Sequence, residues 1–159
     1  MINRTIPAAF LIATLSACAG GGAEPKPSAS GADSERLVAE AIMGMYGAFQ
    51  QKDLAKVGTF MTADSTCYDA KQSVMLNGRQ AVLDHFGAIL AEHKPGEAWE
   101  SSIEGMKVTV SGDMANATYQ VRTSAGGMHA VAAVTHVFRR VDGRWLAIHL
   151  HRSWNVMAK

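Results

Sequence analysis

The stretch that most constrains this chain lies near its end, Arg144 to Trp154, RWLAIHLHRSW. It reads as a β-strand of alternating chemistry. Leu146, Ile148 and Leu150 fall on one face, and Ala147, His149, His151 and Ser153 on the other. The apolar face must look into a core. Arg152 stands where the next apolar residue of that face would be. Its guanidinium either reaches water at a sheet edge or lines a cavity.

The front of the chain sets the compartment. Met1 to Ala17 has the layout of an export signal: Arg4 gives a positive start, and Ile6 to Leu15 is largely apolar but too short for a permanent span. It runs into Leu15-Ser16-Ala17-Cys18, which resembles the bacterial lipoprotein box, so Cys18 is expected to carry a lipid. An ordinary signal peptide with a chance cysteine is the alternative. Lipidation makes an exported protein anchored in the cell envelope rather than spanning its membrane. In a Gram-negative organism, Ala19 after the cysteine points to the outer membrane. Residues 18–32, the cysteine with its Gly, Pro, Ser and Ala sequel, read as a flexible tether. Residues 33–159 are then one domain. The formal net charge of +1 comes without a basic block, which argues against nucleic acid as a partner. After lipidation Cys67 is the one thiol left, so no internal disulfide is expected. No cofactor is expected.

The domain reads as helices followed by strands. Asp33 or Ser34 can cap a helix whose stripe is Leu37, Val38, Ala41, Ile42, Met45 and Phe49. Tyr46 sits beside that stripe, at the core edge or facing a cavity. Lys52-Asp53 breaks the pattern, and a short helix follows from Leu54 to Met61. Asp64 begins a turn, and Thr66 to Asp69 and Ser73 to Leu76 are short strands. A third helix runs from Arg79 to about His93. Four longer strands follow, 99–110, 114–124, 128–141 and 144–154, the last two joined by a hairpin at Asp142-Gly143. The expected fold class is α+β, with helices on one face of an antiparallel sheet.

This order resembles the nuclear transport factor 2-like, cystatin-like or SnoaL-like superfamily. Lys52-Asp53-Leu54 resembles its "G-D-hydrophobic" start of the second helix, with Lys in place of Gly. Asn77-Gly78-Arg79-Gln80-Ala81-Val82 resembles the start of its third helix. Gly112-Asp113-x-Ala115 resembles its mid-sheet turn. Arg140-Val141-Asp142-Gly143-Arg144-Trp145, with Ile148-His149-Leu150-His151-Arg152-Ser153, resembles its last hairpin. That hairpin is most similar to the association domain of calcium/calmodulin-dependent protein kinases. The resemblance implies a cone: a curved antiparallel sheet wraps a long first helix, two further helices help close it, and a pocket remains. It also implies a homodimer through the outer sheet face.

In the association domains arginines from three successive strands line the pocket. By position the resemblance carries these to Arg122, to His136 as a departure, and to Arg152. His136 also shares a face with Ala132, Val134 and Phe138, whereas the face of Arg122 is ambiguous. Tyr46 and Tyr68 complete the candidate ligand-binding set. Two guanidiniums and an imidazole in one concavity would favour a small carboxylate or similar anion. Alternatively the arginines pair with internal carboxylates such as Glu40 or Asp69, or reach water. His149 and His151 share the face opposite the core. They read as interface histidines, because a metal site needs a third ligand, and nothing in the sequence brings His129 or Asp142 there.

Three functions follow. The first is a binder of a small, anionic molecule. The second is an isomerase, dehydratase or cyclase using a pocket Asp, Tyr or His, with Asp64, Tyr68, Asp69, Tyr46 and His136 as candidates. The third is a dimerisation module whose cavity is filled by side chains, for which nine methionines would be suited.

Overall fold

A computed structural model describes residues 31–69, 74–92, 99–125 and 128–157. The export signal, Cys18 and most of the tether lie outside the described residues. Helix α1 spans Gly31–Gln50 and α2 spans Leu54–Gly58. Strands β1 (Met61–Asp69) and β2 (Val74–Asn77) precede α3 (Arg79–Ala91). Strands β3 (Trp99–Ser111), β4 (Met114–Ala125), β5 (Met128–Val141) and β6 (Arg144–Met157) complete the chain. They form one curved sheet in the order β2-β1-β6-β5-β4-β3. All pairs are antiparallel except β1 with β6, which run parallel. This is the α+β cone, with helices on the inner face.

The α1 stripe explains its docking. Val38, Ile42, Met45 and Phe49 recur at helical spacing and are all buried. Each such side chain contributes about 1.5–3 kcal/mol relative to exposure. The helix begins at Gly31, two residues before the expected cap, so Asp33 lies in its first turn and favours the positive end of the helix dipole. It therefore takes in the last two residues of the expected tether, Gly31 and Ala32. Gln50 at the other end donates from Nε2 to Ser101 Oγ of β3 at 2.8 Å. Lys52 then turns the chain in the left-handed region, φ 60°, at the place of the family's glycine. Asp53 caps α2 by accepting from the Lys56 amide at 2.9 Å.

Two expected boundaries move. Helix α2 ends at Gly58 rather than Met61, and β1 starts at Met61 rather than Thr66. The apolar spacing of Leu54, Val57, Phe60 and Met61 fits a helix, but pairing to β6 wins. The Ala147 amide donates to the Phe60 carbonyl at 2.8 Å, and Met61 lies opposite Ala147. Asp64, expected to begin a turn, instead stands in β1.

The alternation of β6 also fails at one point. Ala147 is opposite Phe138 and His149 opposite Val137, which leaves Ile148 as an extra residue. This bulge reverses the faces. Trp145 and Ala147 point inward before it; Leu150 and Arg152 point inward after it. Leu146 and Ile148 are only half-buried. The expected face of Leu146, Ile148 and Leu150 is thus split, while Arg152 keeps its inward place through Leu150.

Candidate functional site

The sheet register builds the inner surface in rows. Ala117, His136, Leu150 and Cys67 lie side by side across β4, β5, β6 and β1; the next row holds Tyr119, Val134 and Arg152. Helix α1 brings Tyr46 over these rows, and α3 brings Phe86. Between them is a cavity of about 20 Å³, lined by Tyr46, Phe49, Phe86, Leu150 and Arg152 among others. That is room for about one water.

Beside it, from Tyr46 on its wall, polar groups form a chain. The Tyr119 hydroxyl lies 2.8 Å from His136 Nδ1, a hydrogen bond whose donor is set by the imidazole tautomer. Tyr46 is hydrogen-bonded to Tyr119 in turn, and their rings meet edge to face at 6.0 Å. Burial holds both phenols above their ordinary values, so they remain neutral hydroxyls. Burial, then the Arg152 cation, then His149 push His136 down to about 3, which keeps the imidazole neutral.

Arg152 supplies the cavity's charge. Its guanidinium carbon stands 5.1 Å from the Phe86 ring centre and 5.9 Å from that of Trp154. Among the described residues no carboxylate forms an ion pair with it. The candidate partner Glu40 binds Arg36 on the exposed side of α1. The side chain of Asp69, the other candidate, lies outside the described residues. A half-buried cation beside aromatic rings and neutral hydroxyls suits an anion, because those contacts offset its desolvation only in part.

The structure brings together three of the five expected ligand-binding residues, Tyr46, His136 and Arg152, and separates two. Arg122 points away from the cone. It follows Val121, which is buried on the inner face, so its own side chain leaves on the outer one. There Nε donates to Glu104 Oε2 at 2.7 Å, with both side chains half-exposed. It lines an open groove of about 300 Å³ with Glu100, Ser102, Ser124 and His129. Tyr68 is also outside, since Cys67 before it is fully buried. Its ring packs against His149 and His151 at 6.0 and 5.7 Å. His149 Nδ1 lies 2.8 Å from Thr66 Oγ1. Among the described residues no three metal-binding side chains cluster.

The enzyme candidate Asp64 is on the surface as well. Hydrogen bonds from Thr62 and from its own backbone, with Arg139 added, hold its carboxyl below the usual range. It lies 3.3 Å from the Arg139 guanidinium and remote from the cavity. Tyr119, Phe86 and Trp154 were not among the expected ligand residues. For Tyr119 a signal existed: Ala115, Ala117, Tyr119 and Val121 alternate as an apolar face, which also assigns Arg122 to the other side.

Fold and cavity define a SnoaL-like cone. A SnoaL-like domain matches residues 38–158, and the chain belongs to that family within the nuclear transport factor 2-like superfamily. A comparison with curated proteins finds no match. Among solved structures, the chain is similar to a candidate dehydratase of the NTF2-like family from Streptomyces avermitilis. There the TM-score is 0.68 at 24% identity, covering 80% of this chain and 99% of the other. A candidate ketosteroid isomerase from Shewanella frigidimarina gives 0.65 at 20% identity, covering 74% and 94%. The association domain of C. elegans CaMKII gives 0.66 at 17%, covering 78% and 98%.

Proposed function

We propose that this is a lipid-anchored cell-envelope protein whose SnoaL-like domain binds a small anionic molecule in the cone. One observation carries this reading: Arg152 faces the cavity beside Tyr46, Tyr119 and His136, with no carboxylate paired to it among the described residues. A carboxylate meets a guanidinium with two parallel hydrogen bonds, and nearby neutral hydroxyls add donors. The anchor is Cys18, and the working unit is a homodimer joined through the sheet face opposite the helices. Exposed Ala133 and His151 and half-buried Thr135 and Val137 give that face a mixed character suited to an interface. The test is ligand-induced stabilisation by small carboxylates, compared with Arg152→Met.

An isomerase or dehydratase is the second reading, favoured by the hydroxyl chain from Tyr46 through Tyr119 to His136. Such hydroxyls can hold a developing oxyanion. Among the described residues no carboxylate lines the cavity to act as base, and neutral His136 is occupied by Tyr119 at Nδ1. A shift produced by apolar ketones and by no anion would favour this reading. The module with a filled cavity draws support from the small volume, but leaves a cation inside the cone without a counter-charge among the described residues.

A further inference from the structure

Leu150, Arg152 and Trp154 leave β6 on one face at successive alternate positions, opposite His136, Val134 and Ala132. Leu150 is 3% exposed and Trp154 is 41% exposed. The row therefore climbs from the floor of the cone to its mouth, with Arg152 between. Both Phe86 and Trp154 stand beside the guanidinium; Phe86 is buried and Trp154 is open to solvent.

The cavity beside Arg152, about 20 Å³, is far smaller than the roughly 300–1,000 Å³ of a site that engulfs a whole organic ligand. It admits one oxygen of an anionic head and little more. The rest of any such ligand must leave through the mouth, where the indole of Trp154 offers a flat apolar platform. Met43, Tyr68, Val74 and Met114 are also exposed large hydrophobic residues, but among these five only Trp154 touches the cavity's cation. The contact with Arg152 adds only modest stability, and an exposed indole at the mouth is placed to take a ligand's apolar body.

We infer that the ligand is an amphipathic carboxylate, with its head on Arg152 and a flat apolar body stacked on Trp154, rather than a compact anion. This rests on the anion-binding reading above and makes Trp154 the residue that sets specificity. The test is calorimetric titration of the purified full-length protein with acetate, butyrate and 4-phenylbutyrate. The aryl acid is expected to bind at least about tenfold more tightly than butyrate. That preference should fall to near one in Trp154→Ala and in Trp154→Leu, the second keeping apolar bulk should the first fail to fold. Equal affinities for butyrate and 4-phenylbutyrate overturn the inference and leave the carboxylate pocket standing. So does a preference that survives in both variants. Failure of all three acids to bind overturns the pocket and the inference together.

Discussion

Tyr119 and His136 hold each other across adjacent strands, hydroxyl to Nδ1 at 2.8 Å, in a region where His136 is 1% exposed. Burial keeps this imidazole neutral, and that has a pH signature. Folding lowers the His136 pKa from 6.5 to about 3. Between those values the unfolded chain binds a proton that the native state refuses, so stability falls as pH falls through this window. The slope from this group is about 1.4 kcal/mol per pH unit at most. Urea titrations from pH 7 to 4 should show the native protein losing stability faster than His136→Asn. Parallel curves would show that His136 is not buried in neutral form.

Arg152 should cost the empty protein stability. A half-buried cation with no counter-charge among the described residues is offset only in part by its contacts with Phe86 and Trp154. Arg152→Met is expected to raise unfolding free energy by on the order of 1 kcal/mol, measured by urea titration without ligand. A loss of more than about 1 kcal/mol would reveal an internal partner and favour the purely structural reading.

The outer face of β5 and β6 should mediate self-association. Ala133→Glu and His151→Glu place like charges on a surface that meets its own copy across a two-fold axis. Sedimentation should show a dimer for the native chain and a monomer for the double variant. A native monomer at tens of micromolar would refute the interface, as would a dimer that survives both substitutions.

Cys18 should carry the lipid. In a bacterial host, the native chain is expected in the membrane fraction with an acyl mass increment, and Cys18→Ser in the soluble fraction without it. Equal partition of the two would remove the anchor.

The sequence was legible where side-chain alternation runs unbroken. His136 with Ala132, Val134 and Phe138 forms one buried face as expected, and the Asp142-Gly143 hairpin turns with positive φ at both residues. It was illegible where an extra residue changes parity. The bulge at Ile148 splits the strand on which the reading began, and an apolar Ile gives no local sign of it. Arg122 went astray differently. Its place came from counting along a family pattern, while the apolar run from Ala115 to Val121 already assigned it outward. Tyr68 followed the same rule beside buried Cys67. The Tyr46–Tyr119–His136 chain needed the register of β4 against β5 and the docking of α1, neither of which local periodicity encodes.

The central claim is that Arg152 awaits an anion. The most direct measurement is the melting temperature of the full-length protein with a panel of small carboxylates, phosphates and apolar ketones, repeated on Arg152→Met. A ligand at a hundred times its dissociation constant adds about 2.7 kcal/mol. Carboxylates are expected to raise the melting temperature, and the rise to vanish in the variant. A panel without effect, or a carboxylate shift that persists in Arg152→Met, would contradict it.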